Sequence, residues 1–349
     1  MSSLDSDPNE ATELIRMIDE SAANVLKDDL LRARKQRFTI PGFEKSKWNE
    51  FAELGWLALC VDEQEGGLGL GVRELCTLAL RLGQQLTPEP ILASALIAGV
   101  LPEAHGQALI EGKQIILPAF VSHGQPMPTF DNGKITGRID CIPYALGADA
   151  FLVQLEDGAA LVRPAEAGVA LIEHKTHDGG HFCALQLDGA QAQRLSCDMA
   201  HIREQATLVA GAYLAGLSEK AFEITQDYIK ERVQFDKPIG SFQVVQHRMV
   251  DLFLELKLGR AALNAAATGF ADGLRGSAAE LAVSLAKARL SKASSVITRE
   301  GIQLHGGIGY TDEADIGLYL RKSMTMSGMF GTESFHRNRA FSLMEANRD

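Results

Sequence analysis

An arginine, an aromatic ring and a side-chain amide lie close together in "ERVQFDKPIGSFQ", as Arg232, Phe235 and Gln243. That set suits recognition rather than bond-making: a guanidinium on a pyrophosphate, a ring against an adenine or sugar, an amide on polar edges. A second segment, "GIQLHGGIGYTDE", puts Gln303 just before Gly306 and Gly307. Without a Cβ at the two glycines, a phosphate or adenine can approach backbone N–H groups. A third, "SGMFGTESFHR", carries Thr332 and Glu333 directly after Phe330 and a glycine. Each has a plainer reading when taken alone. Pro238 and Gly240 break a helix, Arg232 is a solvated cation at a helix C-terminus, and Gly306 and Gly307 end an Ala-rich helix. "GGLGLG", Gly66 to Gly71, lacks the strand-and-helix alternation that a dinucleotide loop needs, so it is assigned no phosphate role.

These segments need elements to hold them, and the chain reads as three blocks. "NEATELIRMIDESAANVLKDDLLRAR", "KWNEFAELG", "VRELCTLALRLGQQL" and "EPILASALIAGVL" repeat apolar residues at helical spacing up to about residue 112, with Pro88 and Pro90 marking a short turn. From Gln114 the pattern changes to short apolar runs such as "QIILPAF", "KITGRI", "AFLVQL" and "CALQL", linked by "DNGK", "EDG" and "HDGG". After Asp198, long helices are expected over roughly 200–231, 241–272, 277–301 and 314–327, with one more near the C-terminus. Ala-rich faces such as "GRAALNAAATGFA" suit close packing in a bundle and an oligomer interface. The expected domains are therefore 1–113 (helical), 114–197 (β) and 198–349 (helical bundle), an α+β multidomain chain.

Bulk properties exclude several classes. The 349 residues carry 34 Lys+Arg against 45 Asp+Glu, a net charge of −11 that disfavours binding to nucleic acid or an anionic membrane. The start, "MSSLDSDPNE", has neither the basic nor the apolar segment of a targeting peptide, and no apolar run is long enough to cross a bilayer, so a cytoplasmic protein is expected. Five cysteines without CxxC or CxxH spacing point to neither a metal site nor a disulfide framework.

Taken together, "RVQFDKPIGSFQVVQH", "QLHGGIGYTDE" and "FGTESFHR", in this order at the end of an α–β–α chain, resemble the acyl-CoA dehydrogenase family. The N-terminal "KWNEFAELGWLALCVDEQEGGLGLG" is similar to the family's Trp-x-x-x-Ala-x-x-Gly-Trp … Gly-Gly-Leu-Gly segment, and the resemblance spans nearly the whole chain. It implies a helical domain, a β-barrel-like domain and a four-helix bundle, with FAD between subunits. The implied reaction is an α,β-desaturation of an acyl-CoA thioester, in which a carboxylate removes the Cα proton and flavin accepts hydride. By the same resemblance, Arg232, Phe235, Gln243, Gln303, Gly306 and Gly307 would contact the ADP half of a neighbouring subunit's FAD. Thr332 and Glu333 would contact the chain's own.

The match fails where the chemistry should be. The family's base is a glutamate before Gly-Thr, and gapless alignment of "RKSMTMSGMFGT" puts Phe330 there. The alternative base position, on the first bundle helix, falls on Ala206, with Glu204 about 200° away around the helix. In the β block, Cys141 and Pro143 stand where the family has Trp and Thr against the flavin, and proline has no N–H to donate. The pattern resembles one branch, the heterotetrameric (α2β2) acyl-CoA dehydrogenases of bacterial steroid side-chain degradation, in which one subunit lacks the glutamate and completes the FAD site of a catalytic partner. That branch implies that the partner holds most of the acyl-CoA. Two other readings stay open: a self-sufficient homo-oligomeric enzyme with its base moved to Glu204 or Glu333, and a regulatory protein that keeps only the fold.

Overall fold

A computed structural model describes residues 8–27 and 29–346. The polar start of the chain, read above as lacking a targeting segment, lies partly outside the described residues. Six helices come first: α1 Pro8–Val25, α2 Asp29–Gln36, α3 Lys45–Glu53, α4 Val72–Gln85, α5 Ile91–Ile97 and α6 Glu103–Ile110. The apolar period of α4 turns Leu75, Leu78, Ala79 and Leu82 inward. Thr87 to Pro90 forms the expected turn into α5. The glycine-rich segment folds back on the preceding loop, with Gly67 N–H donating to Asp62 O at 3.0 Å and Gly69 N–H to Val61 O at 2.8 Å. It is a helix-to-helix connection.

Eight strands follow: β1 Ile116–Ala119, β2 Thr129–Asp131, β3 Lys134–Pro143, β4 Ala150–Gln154, β5 Ala159–Val162, β6 Val169–Lys175, β7 His181–Gln191 and β8 Gln193–Leu195. The "DNGK" link makes the β2–β3 hairpin, with Asn132 and Gly133 both at positive φ (49° and 78°) as a two-residue turn of matching twist requires. The β-barrel-like domain expected from the resemblance is built of two packed sheets and is not a closed barrel. The strands form two separate four-stranded sheets, ordered β1-β4-β5-β8 and β2-β3-β7-β6, each with its own free edges. Their inner faces, including Ile135, Ile139, Phe151 and Leu185, meet in one core. Between Ile139 and Ile142 the β3–β7 register shifts, and Cys141 sits in the irregularity at φ +63°.

The third block has α7 Met199–Glu231, a small hairpin of β9 Val233–Gln234 and β10 Lys237–Pro238, then α8 Gln243–Ala271, α9 Gly276–His305, α10 Ile316–Gly328 and α11 Glu333–Ala346. Five helices therefore build the bundle, with α10 and α11 both against α9. Gly83 of α4 and Gly216 of α7 let those helices touch backbone to backbone, since a Cβ on Gly216 would lie 1.9 Å from Leu80 O. Helices α7 and α9 run in the same direction: Tyr228 near the end of one donates to His305 O at the end of the other at 3.1 Å, and the two rings stack at 4.2 Å. Helix α8 runs back antiparallel to both, its start tied to the end of α9 by the Arg248–Glu300 ion pair.

Candidate functional site

Two sites emerge, at opposite ends of α7. The first is an open-mouthed cavity of about 580 Å³ lined by all three blocks. Its walls are the Thr87–Pro90 turn, the segment after β1 from Phe120 to His123, the β3 irregularity, the first half of α7 and the α10–α11 loop. On α7, Arg203, Ala206, Val209, Ala210 and Tyr213 face it at helical spacing. The cavity thus gathers Phe330, Ala206, Cys141 and Pro143, the four positions where the sequence departs from its family resemblance, together with Thr332.

Phe330 adopts φ +59°, a left-handed conformation that a bulky residue seldom takes, and packs edge-on against Phe120 with centroids 5.7 Å apart. Its loop is pinned from below. Lys287 of α9, 1% exposed, donates to Ser327 O at 3.0 Å, Gly331 O at 3.3 Å and Ser291 Oγ at 3.1 Å. It has no carboxylate partner among the described residues, so burial pushes its ammonium down to about 7. His336, also buried, has Nε2 3.2 Å from Phe330 O. Burial, then the charges of Lys287 and Arg339, lower it to about 3, so it donates to that carbonyl as a neutral ring.

Lys322, on α10, also lines the cavity. Its ammonium pairs with Asp178 at 2.6 Å and donates to Tyr144 Oη at 3.1 Å. Burial alone would raise Asp178, but Lys322 and hydrogen bonds from Thr176 and Gly180 overcome it and hold the carboxyl at about 2. Burial pushes the Tyr144 phenol up.

Carboxylates are not free to act in this cavity. Glu89 lines it, but Arg32 holds both of its oxygens, at 2.5 and 2.8 Å, and its side chain is fully buried. Asp140 lines it too, and is held by Arg138 at 2.8 Å and by Gln125. Neither Glu204 nor Glu333 reaches the wall. Glu204 instead accepts from both terminal guanidinium nitrogens of Arg339, at 2.7 and 3.1 Å.

The second site lies where α7 and α9 end and α8 begins. Arg232 caps α7 and its side chain forms no ion pair among the described residues. Phe235 and Asp236 make the β9–β10 turn, both at positive φ, which leaves Phe235 86% exposed, its ring nearly perpendicular to that of Phe242. Gln243 is the first residue of α8. Gln303 is exposed on the last turn of α9, and Gly306 caps it at φ +65°, a conformation open to glycine. A Cβ on Gly306 or Gly307 would meet nothing within 4 Å, so both backbones lie open to an approaching group. The structure thus brings these six residues to one end of the bundle. Thr332 and Glu333 are elsewhere, beside the cavity. Their loop is held by Lys287, which lies sixteen residues before Gln303 on α9, roughly 24 Å along a helix.

Sequence reasoning missed Arg203, Lys287 and the Lys322–Asp178–Tyr144 group. Lys287 had a visible signal, a lysine on the apolar face of "AELAVSLAKARL". Tyr144 and Asp178 come from distant parts of the β block and Lys322 from the bundle, and they had none.

The chain matches the Acyl-CoA dehydrogenase N-terminal domain over residues 8–121 and the C-terminal domain over residues 201–341. It is 30% identical over 305 residues to the acyl-CoA dehydrogenase FadE27 of Mycobacterium tuberculosis, covering 79% of this chain and 82% of that one. Among solved structures, a variant of the Tcur3481-Tcur3483 steroid ACAD superposes with a TM-score of 0.89 at 25% identity, covering 97% of this chain and 99% of that one. The ChsE4-ChsE5 complex from Mycobacterium tuberculosis superposes with a TM-score of 0.86 at 24% identity, covering 99% of each chain, and so shares the fold. The helical first block, the paired sheets, the helical bundle and these matches together establish that the chain belongs to the acyl-CoA dehydrogenase family of FAD-binding oxidoreductases.

Proposed function

We propose that this chain is the non-catalytic subunit of a heteromeric, FAD-dependent acyl-CoA dehydrogenase. It completes the FAD site of a catalytic partner, in an α2β2 assembly of the cytoplasm that desaturates an acyl-CoA such as a steroid side-chain thioester. The observation that carries this reading is Phe330: a phenyl ring, packed on Phe120, faces the cavity where the family resemblance calls for a carboxylate. A phenyl ring takes no proton, and both carboxylates on the cavity wall are held by arginines.

The two halves of FAD fit this chain differently. Arg232, Phe235, Gln243 and Gln303, with the open backbone at Gly306 and Gly307, fit the ADP half: a cation for the pyrophosphate, a projecting ring, amides and unobstructed N–H groups. The flavin ring fits poorly in the chain's own cavity, where Cys141 occupies a bulge and Pro143 lacks an N–H. When bound, FAD supplies the hydride acceptor, and this chain's part is to hold the dinucleotide for its partner. The names of the two solved relatives support a steroid substrate and a two-chain assembly, one being a steroid ACAD and the other a complex. An exposed apolar stripe on α8, formed by Val250, Phe253, Leu254 and Leu258, supports an apolar contact with another subunit.

Flavin absorbance tests the reading, first on the protein alone and then on its complex with the acyl-CoA dehydrogenase-like product of the neighbouring gene. The expected result is no flavin alone, one FAD per heterodimer, and bleaching by acyl-CoA in the complex. One reducible FAD per chain from the protein alone would favour the self-sufficient enzyme, whose candidate bases Glu204 and Glu333 lie off the cavity wall.

A further inference from the structure

The cavity keeps its volume and one charge that the fold does not use. Five ionisable side chains, Glu89, His123, Asp140, Arg203 and Lys322, line it besides its phenols and thiol. Glu89 is matched by Arg32, Asp140 by Arg138 and Lys322 by Asp178. His123 stacks on Phe335 at 3.9 Å and is lowered to about 4 by burial and by the charges of Arg203 and Arg339, so it is neutral near pH 7. Arg203 has no side-chain hydrogen bond and no ion pair among the described residues. Its neighbour in sequence, Glu204, is taken by Arg339. Burial lowers the guanidinium's pKa despite the nearby Glu204 charge, so its desolvation is not offset by a hydrogen-bonded partner of its own.

We infer that this cavity binds an apolar monocarboxylic acid, its carboxylate forked by the Arg203 guanidinium and its hydrocarbon body lying against Ala206, Val209, Leu96 and Phe330. The volume, about 580 Å³, is that of a small-molecule pocket, and the ligand is matched in charge: one unpaired cation, one carboxylate. A coenzyme A thioester is a poorer match, because its several phosphates need several cations and the other cation on the wall is already paired. This inference rests on the reading that the flavin ring does not occupy the chain's own cavity. It gives that cavity a ligand, and the assembly a place where free acid could act on it.

The test is fluorescence titration of the full-length chain, alone and in its complex, with dansyl-labelled undecanoic acid and with the methyl ester of the same probe. Saturable binding of one acid per chain is expected, with the ester weaker by roughly ten- to a hundredfold, the worth of a charge-assisted hydrogen-bonded pair. Arg203→Leu should lose the acid by a similar factor and bind the ester unchanged. Arg203→Lys should fall between. Ala206→Phe, which fills the cavity, should lose both probes while circular dichroism shows a folded chain. Equal binding of acid and ester, or full acid binding by Arg203→Leu, would overturn the inference. Flavin absorbance of the same preparation separates the two claims. A flavin-free chain that ignores the acid overturns this inference alone, whereas FAD bound by the isolated chain overturns the partner-subunit reading and this inference with it.

Discussion

Lys287 Nζ lies 3.0 Å from Ser327 O and 3.3 Å from Gly331 O, so a buried lysine anchors both ends of the loop that turns Phe330 into the cavity. The anchor makes stability depend on pH. Lys287 is held at about 7 in the folded chain against 10.5 when exposed, so between those values the unfolded chain binds the extra proton. Stability should therefore rise as pH goes from 7 toward 10.5, with a contribution approaching about 1.4 kcal/mol per pH unit. Urea unfolding across that range should show the rise in the native protein and its loss in Lys287→Met. An unchanged slope in the variant would assign the effect to another group.

Asp178→Asn should destabilise the protein by about 3–5 kcal/mol, because it leaves Lys322 charged and unpaired among the three blocks. The carboxyl sits at about 2 against an ordinary 3.8, so its stabilisation is present above about pH 4 and disappears as pH falls through 2. Adding Lys322→Met to Asp178→Asn should recover much of the loss, and a double-mutant cycle from denaturant midpoints measures the coupling.

Arg232→Ala should reduce the FAD retained by the assembled complex. The residue is exposed at the end of α7, so the unfolding free energy of the isolated subunit should change by less than about 0.5 kcal/mol. Full flavin content in the variant complex would remove Arg232 from the proposed site.

Phe330→Glu should not create dehydrogenase activity in this chain alone, since Cys141 and Pro143 also alter the cavity. Turnover of an acyl-CoA by that single variant would show that the cavity accepts a flavin ring after all.

Leu254→Glu combined with Leu258→Glu should prevent co-purification with the partner while leaving the subunit folded. Both side chains are more than half exposed on α8, so the charges replace apolar contacts with no core to disturb. Analytical ultracentrifugation reads the outcome.

The helices and most strands were legible because each depends on local periodicity: α4, α7, α8 and α9 fall close to where the apolar spacing puts them. The short strands β2 and β8, three residues each, carry too little pattern to stand out. The division into two sheets was not legible, because the order of paired strands depends on contacts between distant residues such as Ile135 and Ala190. At the sites, Arg232, Gly306 and Phe330 stand in motifs visible in the sequence, and their roles are those proposed above. Arg203 was not readable, since an arginine on a helix looks solvated until the strands and the α10–α11 loop are folded over it. The Lys322–Asp178 pair joins residues 144 apart, a separation that no local pattern encodes.

Helix α7 runs unbroken from Arg203 at the cavity to Arg232 at its far end, roughly 40 Å at about 1.5 Å per residue. A rod of that length gives the two ends separate fates under selection. On the partner-subunit reading, substitutions around Phe330 act about 40 Å from Arg232, so a lineage that duplicated such a chain could let one end drift while the other stayed constrained by its neighbour. An inactive copy can in this way become indispensable to an active one.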